Sequence, residues 1–309
     1  MMIKKIAAAL AGAAIISLCS CSVGFVNSTD VRYENDDKYT AGNIEISDRI
    51  DTLDIEWPTG RLDIYSAETE SVTVKETTKG SLDDKEKVHT WHDGSKLHIR
   101  FCKSGERYTG EEKKLEISVP KSFEMENIKI NVSSADVSCT GLTAKTAELN
   151  ASSGNISFEG DAASFLSSSS SGNMIFNGTA EKIDTSASSG KVTITQKGRA
   201  DSIITKTSSG EITIDAEYAD TISADSSSGD KRITLAEMPQ KTTLISSSGD
   251  VKLTLPDNSD FDLNIETSSG DISYEMPLSK TDDNNYTCGN GGNMVSISTS
   301  SGNVQILKK

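Results

Sequence analysis

The stretch Ile203-Ile204-Thr205-Lys206-Thr207-Ser208-Ser209-Gly210-Glu211-Ile212-Thr213-Ile214 decides how the chain is read. Two alternating runs flank a Ser-Ser-Gly corner, and a period of two on each side predicts two short β-strands with one buried face each. Counted from Gly210, apolar or small residues stand at −7, −5 and −3 (Ile203, Thr205, Thr207) and at +2 and +4 (Ile212, Ile214). The step from −3 to +2 is odd, so the chain must bend or bulge at the corner to keep both sets on one side. A glycine is expected there because such corners commonly need φ > 0. The serines are expected to satisfy backbone groups of the corner or of a neighbouring coil rather than to act as nucleophiles.

Working outward, the corner recurs with glycines at Gly154, Gly172, Gly190, Gly210, Gly229, Gly249, Gly270 and Gly302, at intervals of 18, 18, 20, 19, 20, 21 and then 32 residues. Periods near 20 residues mean stacked supersecondary units, none of which buries its apolar face alone. The same register finds a copy around Gly60 (Leu53, Ile55, Trp57, Leu62, Ile64) and one around Ala135 (Ile128, Ile130, Val132, Val137, Cys139), which makes Cys139 a core thiol. After Gly229, Lys231 takes the +2 place and Ile233 and Leu235 follow, which reads as a local insertion or bulge. The fold class is therefore all-β: a parallel β-solenoid with two short strands per coil of about 20 residues, preceded by an N-terminal β cap.

The domain plan follows. Residues 1–20 read as a leader, with Lys4 and Lys5 before the apolar run Ala7–Leu18, which is too short to span a bilayer. Leu18-Cys19-Ser20-Cys21 resembles the lipobox of bacterial lipoproteins; small Ser20 before Cys21 fits the cut, whereas bulky Leu18 before Cys19 does not. An ordinary secretory leader is the alternative, and it accounts less well for the polar tether, 21–45, that follows directly. Lipidation at Cys21 would anchor the exported chain at the cell envelope through its acyl chains. Residues 46–127 form the cap, with extra strands around Val72, Leu97 and Leu115, and 128–309 the solenoid, interrupted by an exposed loop at 279–292 before a final strand pair.

Removing residues 1–20 takes the net charge from −15 to −17. A nucleic-acid partner needs a basic footprint that this chain lacks. Three cysteines besides Cys21 remain in the exported part (Cys102, Cys139, Cys288), enough for one disulfide at most, and no CxxC pair offers a zinc site.

Three groups of residues are candidate sites. His89, His92 and His98 flank Asp93-Gly94, a hairpin signal; with Asp93 and Gly94 as the turn, His89 would face His98, and the reading is an exposed polar face rather than a metal site. The residue after each corner is mostly polar (Asn155, Asn173, Lys191, Glu211, Asp230, Asp250, Asp271, Asn303) and stacking would align these into a column. Calcium or glycan hydroxyls could suit such a column, yet a solvated edge that discourages aggregation accounts for it. Asp282-Asp283 is a weak acid/base candidate in a loop, and Arg199 and Arg232 are isolated. No catalytic residue, metal site or cofactor is assigned.

Leu53-Asp54-Ile55-Glu56-Trp57 through Gly60, Leu115-Glu116-Ile117-Ser118-Val119-Pro120-Lys121, and the Ser-Gly-Asp/Asn repeats together resemble the bacterial "putative adhesin" family of Ser-Gly repeat domains of unknown function, over about residues 46 to 309. The resemblance implies a β-solenoid on the cell envelope, and supplies no catalytic or ligand residues to carry over. The long Gly60–Ala135 interval and the 279–292 loop depart from the family pattern. The functional expectation is a non-catalytic, lipid-anchored envelope protein presenting a binding face, an adhesin for a glycan or an envelope protein. The alternatives are an envelope stress sensor or scaffold for a membrane partner and, behind both, a polysaccharide-active β-helix enzyme.

Overall fold

In the computed structural model, which describes residues 32–309, the alternation becomes a stack of parallel coils hydrogen-bonded into one network. After a 3-10 turn at Asp36–Lys38, the N-terminal strands are β1 (Thr40–Ala41), β2 (Ile44–Ile46), β3 (Thr52–Glu56), β4 (Arg61–Ala67), β5 (Val72–Thr78), β6 (His89–Asp93), β7 (Lys96–Arg100), β8 (Lys113–Pro120) and β9 (Met125–Val132). Long bent strands follow, each running from one corner to the next, the first from the Ala135 corner and the others from Ser-Ser-Gly corners: β10 (Asp136–Ala151), β11 (Ile156–Ser169), β12 (Met174–Ala187), β13 (Val192–Thr207) and β14 (Ile212–Ser226). The C-terminal strands are β15 (Lys231–Leu235), β16 (Lys241–Ser246), β17 (Val251–Leu255), β18 (Phe261–Thr267), β19 (Ile272–Tyr274), β20 (Leu278–Lys280), β21 (Asn285–Cys288), β22 (Asn293–Thr299) and β23 (Val304–Lys308). The strand preceding each corner stacks on one face of the coil and the strand following it on the other.

Inward positions form ladders along the axis. The +2 ladder runs Leu62, Val137, Ile156, Met174, Val192, Ile212, Lys231, Val251 and Val304, and every member is buried. Phe158, Phe165 and Phe176 pack together beside Ser167 and Ser169, which take the −5 and −3 places; Phe158 and Phe176 stack with ring centroids 6.0 Å apart. One contiguous core runs from Ile46 to Ile306, so cap and solenoid share it.

The corner glycines have a different cause from the one expected. Of the nine, only Gly60 has φ in the left-handed region, at 88°. At the others the constraint is stacking: a Cβ on Gly154 would fall far inside 3.0 Å of the Ala135 carbonyl oxygen, one on Gly172 would strike that of Gly154, and so on through Gly190, Gly210, Gly229 and Gly249. Glycine is required because each corner lies against the peptide of the corner below. At five corners the hydroxyl that secures the turn is that of the −3 residue rather than the Ser-Ser pair: Ser169, Ser226, Ser246, Thr267 and Thr299 accept from the N–H of Gly172, Gly229, Gly249, Gly270 and Gly302 at 2.8 to 3.0 Å. The Ser-Ser hydroxyls face solvent, while their backbone N–H groups donate to the coil beneath, as Ser209 does to Ser188 at 2.9 Å.

Differences in coil length are absorbed at the opposite corner. Between Gly178 and Lys182 the register slips against β13, whose coil is longer, and the amide of Gln196 spans the gap by donating to Ala180 O at 3.0 Å and accepting from Ala180 N at 3.1 Å. A second column of close approaches lies here, where Gly160 abuts Leu142 O and Gly178 abuts Gly160 O. No spacing rule in the sequence singles it out, because the corner is not uniform in length.

The structure corrects four further expectations. Lys231 is neither an insertion nor a bulge: Ile212 pairs with Lys231 and Ile214 with Ile233 in unbroken register, so the lysine sits inside the solenoid. Residues 279–292 hold strands β20 and β21, which fold back antiparallel on β18, rather than a loop alone. The last coil, β22–β23, is not last in the stack: it lies between β16–β17 and β18–β19. The tether ends earlier than 45, because β1 pairs with β6 and β2 with β5.

Candidate binding surface

Cys21 and the expected leader, residues 1–20, lie outside the described residues. The hairpin histidines do not converge, and among the described residues no group of three or more His, Cys, Asp or Glu side chains gathers in metal-ligating fashion. The hairpin register also differs by two from the expected one. Asp93 pairs with Lys96, leaving Gly94 (φ 62°) and Ser95 as the turn, so His98 faces Trp91 and His89 faces Arg100. His98 stacks on Trp91 at 4.6 Å and its Nδ1 lies 2.9 Å from Asp54 Oδ2. Burial lowers the His98 pKa, aided by the Lys96 charge. Burial opposes ionisation of Asp54, but Arg100 and Lys96 outweigh it and hold the carboxyl below the usual range. Tyr33, Tyr39 and Lys38 complete this cluster: Tyr39 packs edge-on to Trp91 and Lys38 Nζ stands 4.6 Å over the indole. Sequence reading missed it by assigning those residues to the tether.

The column after the corners is a hydrogen-bonded ladder. Each Asx oxygen accepts the backbone N–H of the equivalent residue one coil on: Asp136 from Asn155 (2.9 Å), Asn155 from Asn173 (3.0 Å), Asn173 from Lys191 (2.9 Å), Asp230 from Asp250 (3.0 Å), Asp250 from Asn303 (2.8 Å) and Asn303 from Asp271 (3.0 Å). These oxygens are thus occupied, which gives the column a structural role. Where Asx is replaced, ions take over: Glu211 lies between Lys191 and Arg232, at 3.2 and 2.5 Å. Asp282 is held by Asn284 N, Asn285 N and the Asn285 amide in the β20–β21 turn, hydrogen bonds that keep its carboxyl below the usual range. Arg199 is tied to Asp220 and stacked on Tyr218. Asp282, Arg199 and Arg232 are thus each committed to a structural partner.

Beside the ladder, on the outer face formed by β4 and the first halves of β10–β12, lies an open depression of about 350 Å³. Arg61, Asp136, Ser138, Asn155, Asn173 and Ile175 line it. Arg61 is anchored to Asp63 at 2.9 Å and more than half exposed, and Ile175 is 45% exposed, so the depression offers a cation, amide and hydroxyl groups, and one apolar platform. Parallel in-register pairing places these residues, since β4, β10, β11 and β12 present the same register position side by side. Cys102, Cys139 and Cys288 are all buried and unpaired, and burial pushes the Cys139 thiol up to about 12, so it is inert.

The model of the Toastrack DUF4097 family matches residues 50–307. Solved structures similar to this chain include a "putative cell adhesion protein" from Clostridium sporogenes (11% identity, 87% of this chain and 100% of that one, TM-score 0.25). A "putative adhesin" from Bacteroides fragilis matches at 11% identity over 88% and 97% of the two chains, with a TM-score of 0.37. A "putative lipid binding protein" from Parabacteroides distasonis matches at 16% identity over 88% and 97%, with a TM-score of 0.40. No curated protein matches the chain.

Proposed function

The chain belongs to the Toastrack DUF4097 family, and from that premise we propose that it is a non-catalytic binding protein, lipid-anchored at the cell envelope through Cys21, whose long outer face holds a polar polymer such as a glycan. The observation that carries the binding reading is the depression around Arg61 and Ile175, an open site on a paired sheet whose polar groups are exposed and in which the Asp136 carboxylate and the Asn155 amide oxygen are already held by the ladder. A glycan suits it because its hydroxyls can pair with the Asn173 amide N–H, the Ser138 hydroxyl and the guanidinium N–H groups that Arg61 does not give to Asp63, while a sugar face rests on the aliphatic platform of Ile175. A sheet held by backbone pairing is pre-organised, which limits the entropy lost on binding. The leader and the Leu18-Cys19-Ser20-Cys21 motif support anchoring and export.

The test is a glycan and matrix-protein screen of the exported chain run beside a pull-down from envelope extracts. Glycan binding that falls at least tenfold in Arg61→Ala with Ile175→Ala supports the adhesin reading. Capture of one envelope protein with no glycan signal replaces it with the scaffold reading. Hydrolysis of a bound polysaccharide, abolished by one Asp or Glu substitution, overturns the non-catalytic assignment. For the anchor, Cys21→Ser should move the protein from the membrane to the soluble fraction; loss of anchoring on Cys19→Ser instead would refute the assignment.

A further inference from the structure

The C-terminal coil lies out of sequence order. β22 and β23 are inserted between coils β16–β17 and β18–β19, both of which precede them in the chain. The slot treats the insert as any other repeat. Gly302 stacks on the Gly249 carbonyl, Gly270 stacks on the Gly302 carbonyl, and the Asx ladder continues from Asp250 through Asn303 to Asp271. The interfaces on both sides of the insert are therefore generic coil-to-coil contacts, available to any coil with the same pattern.

The connection to the insert is built to turn. Gly289, Gly291 and Gly292 all have φ in the left-handed region (59°, 72° and 108°), so the chain leaves β21 through a glycine hinge. That hinge is latched by surface hydrogen bonds: Asn290 N donates to Asp260 at 2.9 Å and Gly292 N to Asp262 at 3.0 Å. On the far side β18 holds β22 over seven residues, but the other half of that coil is light: β19 has three residues, pairs with β23, and leaves Tyr274 46% exposed. The near side is the long stack. An element joined through a short glycine-rich connection and held by contacts that an identical copy reproduces exchanges between copies at low free-energy difference.

We propose that the slot between β17 and β19 takes the C-terminal coil, residues 293–308, of a second copy of this chain, so that two molecules exchange these coils and form a linked dimer. Every pairing broken within one molecule is remade with the other, and the barrier is the release of β22–β23 from β16–β17 on one side and from β18–β19 on the other. On an envelope surface, where tethering concentrates copies, the exchange would present paired outer faces to a polyvalent ligand.

Two full-length preparations with different affinity tags test this, one carrying Lys252→Cys and the other Gln305→Cys. These residues are register partners on the outer face of β17 and β23, and each chain carries only one of the pair. The mixture is passed through mild urea, returned to buffer and oxidised. A disulfide joining the two tags, in a species twice the monomer mass, is the expected result, and it should drop at least tenfold when both chains also carry Gly302→Val. Far-ultraviolet circular dichroism of Gly302→Val must show that the remaining stack is retained. A mixture that stays wholly monomeric overturns the proposal. So does a dimer that lacks the inter-tag link, or one that forms equally with Gly302→Val. None of these outcomes depends on the glycan reading.

Discussion

The two ends of the solenoid solve one problem with unequal means. At each end the coil that is terminal in sequence is penultimate in the stack: β3–β4 lies between β7–β8 and β9–β10, as β22–β23 lies between β17 and β19. The N-terminal end is then closed on both faces by antiparallel strands, β6 and β1 on one and β5 and β2 on the other. The C-terminal end is closed on one face by β21 and β20, and β19 remains a three-residue edge. Shortness is one accepted way to blunt an edge, but it leaves little to hold the coil.

Each half also buries one lysine, and the pair shows the same inequality. Lys113 is fully buried and compensated. Its Nζ lies 2.7 Å from Glu76 Oε1, donates to the carbonyls of Glu86 and Phe101, and sits 3.8 Å over the Phe101 ring. Lys231 is equally buried, and its Nζ has no hydrogen-bond partner among the described residues. Burial pulls its pKa down to about 8, with Asp225 and Asp230 opposing weakly from outside the core. A compensated charge fixes a cap, whereas an uncompensated one lowers the stability of the coils around it.

The largest expected effect breaks the stronger end. Gly60 combines φ of 88° with a backbone approach to Lys113 O that leaves no room for a Cβ. Gly60→Val should therefore destabilise by more than about 4 kcal/mol, which few single substitutions reach. Gly210→Val meets the same clash without the φ strain and should lie slightly below it. Urea melts of both, followed by circular dichroism, check the order; a Gly210→Val protein as stable as the parent would refute stacking as the reason for glycine.

Next in size is the cap ion pair. Glu76→Gln leaves the Lys113 ammonium buried beside a neutral amide and should cost about 3 to 5 kcal/mol. Hydrogen exchange should then rise across β5, β8 and β4 before it rises in β14. Equal loss of protection along the whole stack would show that the ends do not act as separate units.

Lys231→Met should have the opposite sign. The folded-state pKa is lowered, so the folded protein binds fewer protons than the unfolded chain between about pH 8 and the ordinary lysine value of 10.5. Parent stability therefore rises with pH through that window, and the full penalty is present below about pH 8. Removing the amine should stabilise the protein at pH 7 by about 3 kcal/mol, and should flatten the rise. A variant no more stable than the parent at pH 7 would mean that the amine finds a partner in solution.

What was legible follows from which constraint wrote it. Period-two ladders and the Ser-Ser-Gly spacing announce strands and coils because burial and corner contact act on every repeat alike; Cys139 was placed in the core by register alone. The order of the coils was not legible, because Gly302 and Gly270 carry the same pattern and nothing local distinguishes first neighbour from second. Lys231 was misread because a charged side chain at +2 contradicts the apolar rule, and an insertion looked less costly than a buried amine. The hairpin register was missed by two because Asp93-Gly94 and Gly94-Ser95 are both acceptable turn pairs. The outer depression was invisible because it is made by residues about 20 apart, or in the case of Arg61 and Asp136 by 75, that pairing alone brings together.

The smallest effect concerns the Asx ladder, and it compares the two ends at one hydrogen bond each. Asn155→Ala removes the acceptor for Asn173 N, and Asn303→Ala removes that for Asp271 N. Both donors are exposed residues, so water takes over in part and each loss should come to about 1 kcal/mol. The readouts should nonetheless differ. Asn173 lies among long coils paired on both sides, and its amide should exchange only modestly faster. Asp271 begins the last turn before β19, which pairs with β23 alone, so the same loss should release β19 and raise exchange at Ile272, Ser273 and Tyr274 together. Glu211→Gln serves as the reference: it weakens half-exposed pairs with Lys191 and Arg232 and should stay within about 0.5 kcal/mol. If Asn303→Ala and Asn155→Ala give the same local exchange, the C-terminal end is no looser than the middle of the stack, and the contrast between the two ends is wrong.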